Sequence, residues 1–161
     1  MNNFKVGYGY DAHRFAPDRK LILGGVDVPY GQGLDGHSDA DVLVHAVCDA
    51  LLGSLALGDI GRHFPDTDPA YKGIDSLILL KKTGELIAAH GYRIGNVDVS
   101  LRLQKPKIAA YVPQMQQNLS KALDVEPEQI SVKATTTERM GFEGSGEGAS
   151  ASAVALVYSN R

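Results

Sequence analysis

The chain has 161 residues, of which 43% are hydrophobic and 22% charged, and its formal net charge is −3. This length suffices for one domain that buries its own core, so we expect residues 1–161 to form a single domain. The acidic balance and the lack of a lysine or arginine cluster argue against nucleic-acid binding, and no apolar run reaches the roughly 20 residues of a membrane span.

The N-terminal part is predicted to contain strands and then a helix. The chain opens almost at once on FKVGYGY (4–10), where large apolar residues alternate with lysine and glycine as in a strand with one buried face, so no signal peptide is expected. LILGGVDV (21–28) indicates strand material with a bulge or tight turn at its glycines. A helical period follows, with Ser38 and Asp41 spaced like a capping box. Cys48 lies in this apolar helix, which predicts a small buried side chain in a reducing cytoplasm.

The rest of the chain is predicted to alternate helices and strands. Residues 58–73 are dense in glycine, aspartate and proline, which predicts an exposed loop. The later predicted elements, in chain order, are a helix from about Asp75 to His90, a strand over 97–104, a helix from Pro106 to about Asp124, and strands over 130–136 and 151–158.

The last predicted strand bears on assembly because neither of its faces is polar. Val154, Leu156 and Tyr158 alternate with alanine and valine. Helices can cover one face of the sheet and a second copy of the protein the other, so we expect a homo-oligomer. The alternative is a sheet with helices on both faces, which would divide three predicted helices between them.

Asp11 and His13 are the first candidate metal ligands. Residues two apart in an extended chain project to the same side, so both side chains can meet one ion, and Gly7 and Gly9 leave room nearby. The pair alone is weak evidence, because a surface carboxylate beside a capping histidine has the same spacing.

A second polar group begins the predicted helix, in HSDADVLVH. Asp41, His45 and Asp49 recur every four residues and share one helix face. His45 can simply pair with a carboxylate at the edge of the core, or the two carboxylates can fix the tautomer of a metal-ligating histidine. Asp11, His13 and His45 together supply three N/O ligands with a fourth position open, the composition of a catalytic zinc site.

Three further features are compatible with phosphate binding, and each has a simpler explanation. FPDTD (64–68) has the composition of a turn stabilised by its own side chains. Thr135–Thr137 and Glu138 end a predicted strand, where hydroxyls can bind phosphate and a carboxylate Mg²⁺, although threonine is common in strands anyway. Lys105 and Lys107 flank a proline at a predicted helix start, a modest anion-binding feature.

Several blocks of the sequence occur together in one order: GYGYDAHRF, LGG, HSDADVLVH, LGDIGRHFPDTDPAYKGIDS, GNVDVSLRLQKPK, and VKATTTERMGF followed by GEG. In these blocks, and over essentially its whole length, the chain resembles the 2-C-methyl-D-erythritol 2,4-cyclodiphosphate synthases of the non-mevalonate isoprenoid pathway. The resemblance implies a cytoplasmic lyase that converts 4-diphosphocytidyl-2-C-methyl-D-erythritol 2-phosphate to the cyclodiphosphate and releases CMP. It also implies one catalytic α+β domain, a mixed sheet with helices on one face and the other face buried in a homotrimer, and active sites between subunits.

The resemblance further implies a role for metals. Asp11, His13 and His45 would bind a divalent ion, normally zinc, and Glu138 would reach magnesium or manganese on the substrate diphosphate. Two unit negative charges 4 Å apart repel by about 4 kcal/mol at an effective dielectric of ~20, and divalent cations would offset this repulsion as one phosphate approaches another.

Other residues are assigned by the resemblance alone. His37 and Thr136 fall where the family places groups that stabilise the transition state. The methylerythritol phosphate portion is expected to contact Ser38, Asp59, Ile60, Gly61, Phe64, Pro65, Asp66, Thr67 and Asp68. The cytidine diphosphate portion, from the adjacent subunit, is expected to contact Leu103, Gln104, Lys105, Pro106, Lys107, Ile108, Ala109, Thr135, Thr136 and Thr137, with Phe142 on the same surface.

The sequence departs from the family pattern at two positions. Ser145 stands where many members carry an arginine that faces a cavity on the threefold axis, so an isoprenoid diphosphate in that cavity is not implied here. Arg139 replaces a more usual lysine and keeps the charge but not the shape. Two other functions remain open, a zinc-dependent hydrolase and a non-catalytic trimer that binds a phosphorylated or isoprenoid ligand.

Overall fold

A computed structural model describes residues 3–161, and its largest feature is a mixed five-stranded sheet. The single-domain prediction also included Met1 and Asn2, which lie outside the described residues. The strands are β1 (Phe4–Ala16), β2 (Leu21–Leu23), β3 (Val26–Val28), β4 (Gly33–Leu34), β5 (Tyr92–Arg102), β6 (Ile130–Thr135) and β7 (Gly148–Ser159). The sheet has the order β4-β1-β7-β5-β6, parallel between β5 and β6 and antiparallel elsewhere. β2 and β3 form a separate hairpin that turns at Gly24 and Gly25, both with positive φ, which confirms the predicted tight turn.

The helices are α1 (Val42–Ser54), α2 (Ile60–His63), α3 (Ser76–Ala89), α4 (Val112–Leu123) and α5 (Gly141–Gly144). α3 begins and ends as predicted, capped by Asp75 and followed by Gly91 at a φ of +79°. α4 begins later than predicted, because residues 103–108 form an irregular loop and Pro113 takes the first-turn position expected for Pro106. Within residues 3–161 no helix is both long enough and apolar enough to cross a bilayer.

The start of α1 differs from the predicted capping box. Asp41, not Ser38, is the N-cap, and its side chain accepts a hydrogen bond from the Val44 N–H. The same carboxylate accepts the N–H groups of Gly24 and Gly25 at 3.0 and 2.7 Å. Asp41 is fully buried, so it fastens the β2–β3 hairpin to α1 instead of facing a ligand.

The two faces of β1 are used differently. Gly7 and Gly9 lie under α1, where an added Cβ would sit 1.8 Å from the Ala50 carbonyl oxygen and 2.0 Å from that of Ala46. The glycines therefore make space for the helix, and the prediction that they leave room directly for an ion is wrong. The opposite face carries the large apolar side chains, which remain 47–62% exposed: Phe4, Val6, Tyr8 and Tyr10.

The same division continues across the sheet. On β7, Ala153, Ala155 and Val157 are buried under the helices, whereas Val154 is 44% exposed on the other face. The expected α+β fold, a mixed sheet with helices on one face, is confirmed. Because an exposed apolar face of this extent is unusual in a monomer, the expectation of a homo-oligomer stands as a prediction.

Candidate metal centre

Three predicted ligands meet where β1 runs beside α1. His13 Nε2 lies 2.8 Å from Asp11 Oδ2, His45 Nδ1 lies 3.0 Å from the same oxygen, and the two ring nitrogens are 3.3 Å apart. Asp11 and His13 are on one side of β1, as the two-residue spacing predicts, and the glycines preceding them let α1 bring His45 close.

The protein determines which nitrogen of each ring faces this point. His13 Nδ1 is 2.8 Å from the Asp35 carbonyl oxygen, which has no proton, so Nδ1 donates and Nε2 is free to accept. His45 uses the opposite nitrogen, because its Nε2 contacts the Ser76 hydroxyl at 2.8 Å and its Nδ1 faces Asp11.

The donor set fits a divalent ion such as zinc. Two donors on a tetrahedral zinc are about 3.3 Å apart, since each lies about 2.05 Å from the ion, and the three observed donor separations are between 2.8 and 3.3 Å. Two imidazole lone pairs and a carboxylate oxygen at such distances repel unless a proton or a metal cation lies between them. Among the described residues this is the group of His, Cys, Asp and Glu side chains whose ligand atoms converge.

The two carboxylates predicted to orient His45 accept hydrogen bonds from backbone N–H groups instead. Asp41 is occupied by backbone N–H groups of the β2–β3 turn, and Asp49 Oδ1 accepts the Ile60 N–H at 2.8 Å. The side chain that contacts the second nitrogen of His45 is instead that of Ser76, 31 residues away in the chain. It was missed because only tertiary packing brings the start of α3 to α1.

The electrostatics of the centre favour cations. Burial alone would raise the pKa of Asp11, but its contacts with the rings of His13 and His45 outweigh burial and lower that pKa to about 2. For His13, burial lowers the pKa, while the hydrogen bond to Asp11 and its charge raise it, and the net shift is upward. Burial raises the pKa of Asp49, and the neighbouring charges of Asp59 and Asp11 act in the same direction.

Several predicted substrate contacts lie beside this centre. Ser38 Oγ is 3.2 Å from His45 Nε2, so Ser38 borders the metal centre. His37 Nε2 donates to the Asp68 carbonyl at 3.1 Å, so His37 borders the FPDTD segment. Residues 58–73 are largely exposed, as predicted, but include α2 and a 3-10 turn. Asp59 caps α2 through the Arg62 N–H.

The predicted cytidine diphosphate contacts form a separate surface. Residues 103–109, apart from Lys105, line a cleft of about 450 Å³ with Val112 and residues 133–136. Gln104 Oε1 accepts the Arg139 N–H at 3.2 Å and so connects this loop to the turn that carries Glu138. Phe142 is 37% exposed on α5.

Glu138 and Thr136 are not brought to the metal centre within one chain. Thr136 Oγ1 accepts the Glu138 N–H at 3.3 Å, and both follow β6. β7 and β5 lie between β1 and β6, which separates those strands by about 14 Å at about 4.8 Å per strand. The two groups of predicted site residues therefore lie on different strands of one sheet, separated across its width.

Together, the one-sided sheet and the Asp–His–His centre between its first strand and first helix define a metal-binding α+β protein. Comparison with known sequences makes the assignment specific. The chain belongs to the YgbB family, whose match covers residues 4–158.

Individual relatives agree over nearly their full lengths. The 2-C-methyl-D-erythritol 2,4-cyclodiphosphate synthase of Syntrophobacter fumaroxidans is 57% identical over 156 residues, covering 97% of this chain and 98% of that protein. The protein of the same name from Chloroherpeton thalassium is 59% identical over 153 residues, covering 95% and 98%.

Solved structures share the fold. The bifunctional IspDF of Campylobacter jejuni superposes with a TM-score of 0.94 at 38% identity, covering 99% of this chain and 43% of that one. The CDP complex of IspF from Plasmodium falciparum superposes with a TM-score of 0.87 at 33% identity, covering 100% and 99%.

Proposed function

We propose that this protein is a 2-C-methyl-D-erythritol 2,4-cyclodiphosphate synthase, a lyase that converts 4-diphosphocytidyl-2-C-methyl-D-erythritol 2-phosphate to the cyclodiphosphate and CMP. The observation that carries the proposal is the convergence of Asp11, His13 and His45 on one point in a chain of this family. Oxygen of the 2-phosphate would bond to the β-phosphorus, and the bond from that phosphorus to the oxygen of CMP would break. We place the reaction in the cytoplasm.

The residues of the metal centre would position the reacting phosphates. A divalent ion on Asp11, His13 and His45 would draw negative charge from the phosphate oxygens, and a magnesium or manganese ion near Glu138 would do the same for the diphosphate. The low pKa of Asp11 keeps its carboxylate charged at neutral pH, and each histidine is oriented from its other nitrogen. The reaction needs no side chain that acts as a general acid or base, because a phosphate is already a nucleophile and CMP is an adequate leaving group.

The remaining residues would bind the two ends of the substrate. Ser38 and the segment from Asp59 to Asp68 would hold the methylerythritol phosphate portion, and residues 103–109 with Thr135–Thr137 and Phe142 the cytidine diphosphate portion. His37 and Thr136 would donate hydrogen bonds to phosphate oxygens whose charge grows in the transition state.

This assignment requires a homotrimer with active sites between subunits. Two features support it: the apolar sheet face is exposed in one chain, and the strand of the metal centre, β1, is separated from β6 beside the 103–109 cleft by two other strands. A neighbouring subunit would bring its own Glu138 and cleft to the metal centre of the first.

Phosphorus NMR of the cytidine-diphospho substrate incubated with the protein, zinc and magnesium tests the function directly. We expect a cyclic diphosphate together with CMP, both absent when the metals are chelated. Linear products would instead indicate the zinc-dependent hydrolase, and unchanged substrate the non-catalytic binding trimer.

A further inference from the structure

His45 reaches the protein interior through its second ring nitrogen, on the side away from the metal centre. Nε2 lies 2.8 Å from Ser76 Oγ and 3.2 Å from Ser38 Oγ. His45 is 5% exposed and Ser76 is fully buried. Ser76 is the first residue of α3, so this contact joins the centre to a helix that supplies none of its ligands.

The direction of the hydrogen bonds follows from Asp39. The Ser76 hydroxyl donates its one proton to Asp39 Oδ1, because a carboxylate can only accept. Ser76 Oγ then presents a lone pair to His45 Nε2, which must carry the ring proton. Nδ1 keeps its lone pair, directed at Asp11 and His13.

Asp39 is held firmly enough to impose this direction. Its Oδ2 accepts the Ser76 N–H at 2.9 Å and its Oδ1 accepts the Asp41 N–H at 3.1 Å. The hydroxyl of Ser76 is not needed to cap α3, because Asp75 does so through the Leu77 N–H at 2.9 Å. The Ser76 hydroxyl is thus free to link a carboxylate to the ring of His45. Hydrogen bonds of this kind to the second nitrogen of a histidine orient metal ligands in proteins.

We propose that Ser76 and Asp39 are positioning residues of the metal centre, which fix the tautomer and ring orientation of His45 so that Nδ1 faces the ion. The inference rests on the proposed metal-binding function of Asp11, His13 and His45. Ser38 has a different role, since its Oγ accepts the Ala40 N–H and lies farther from the ring.

Zinc affinity, measured by competition with a chromophoric chelator, tests this without reference to catalysis. Removing an outer partner of a ligating histidine weakens metal binding about 10- to 100-fold, so Ser76→Ala should raise the zinc Kd by at least about tenfold. Asp39→Asn, which keeps the shape but loses the charge, should raise it by a smaller factor. The matched control is Ser120→Ala, another buried serine, whose hydroxyl donates to the Gln117 carbonyl of α4, and its Kd should stay within about twofold of the original.

Nitrogen-15 shifts of the histidine rings in the zinc-loaded protein give a second reading. We expect a protected Nε2–H resonance for His45 that is lost or exchanges rapidly in Ser76→Ala.

If Ser76→Ala and Asp39→Asn both bind zinc within twofold of the unmodified chain, the inference is wrong while the metal centre stands, even if Ser76→Ala melts earlier. If Ser76→Ala does not fold, Asp39→Asn alone decides. If the unmodified protein binds no zinc, the metal centre and the inference fail together.

Discussion

Asp11 is the residue on which both histidines converge, and one of its oxygens contacts both rings. In the metal-free protein this oxygen must be charged for the contacts to be attractive, which is why its pKa falls to about 2 despite burial. His13 responds in the opposite sense, with a pKa raised above its usual 6.5. The same three side chains that would bind zinc are therefore held together by a proton when zinc is removed.

Asp11→Asn should reveal the pairing of Asp11 with the two histidines in protein from which a chelator has removed the metal. The Asp11 carboxylate contributes stability above its unfolded pKa of 3.8, and that contribution is lost as pH falls through about 2. The His13 contribution is complete below pH 6.5 and is lost as pH rises through the raised folded pKa. Denaturant unfolding should show the variant less stable by about 2 kcal/mol between about pH 4 and 6, with a smaller difference on either side. A difference independent of pH would contradict the pairing.

At the scale of elements, the close contact between α1 and β1 makes the centre possible. Gly9 lies under the Ala46 carbonyl, next to His45 in the helix, so any side chain there would push the helix away from the strand. α2 is positioned from the same helix, through the bond from the Ile60 N–H to Asp49. One helix thus positions both a proposed metal ligand, His45, and the loop proposed to bind substrate.

Gly9→Ala should separate α1 from β1, because the new Cβ would lie 2.0 Å from a backbone oxygen that cannot rotate away. We expect a loss of at least about 3 kcal/mol in the free energy of unfolding, at the upper end of overpacking effects, together with weaker zinc binding. Gly31→Ala is the matched control, since nothing lies within 4 Å of the added atom. Equal stability of the two variants would show that the contact is not close.

Asp49→Ala should release α2 and raise KM more than it changes the zinc Kd. The lost hydrogen bond to a carboxylate is worth about 1.5 kcal/mol, which corresponds to roughly a tenfold rise in KM. Asp49→Asn keeps an oxygen that accepts the Ile60 N–H and should stay near the original KM. Steady-state kinetics of the two variants decides, and a KM unchanged in Asp49→Ala would remove α2 from the substrate site.

At the scale of the whole molecule, the proposed trimer with shared active sites would account for both the exposed apolar face and the separation of the predicted site residues. Val6→Glu places a charge on that face, where Val6 is 58% exposed in a single chain. Sedimentation should show three times the 17.2 kDa of one chain for the unmodified protein and a lower mass for the variant, which keeps zinc but loses cyclisation. Ile78→Glu, on the helical side and 46% exposed, should remain assembled. An unmodified protein that sediments as one chain would refute the trimer.

The sequence predicts features that depend on neighbours in the chain. The period of the helices, the extent of α3 and the same-side placement of Asp11 and His13 all follow from local spacing. Features set by tertiary packing were not predictable in this way. The glycines of β1 face a helix whose approach no local pattern encodes, and Ser76 reaches His45 across 31 residues.

Metal analysis of the purified protein and of Asp11→Ala and His45→Ala tests the central claim most directly, when combined with assay of cyclodiphosphate formation. The account predicts one tightly bound zinc per chain in the unmodified protein, and loss of both zinc and cyclisation in each variant. Full zinc content and undiminished cyclisation in both variants would contradict it.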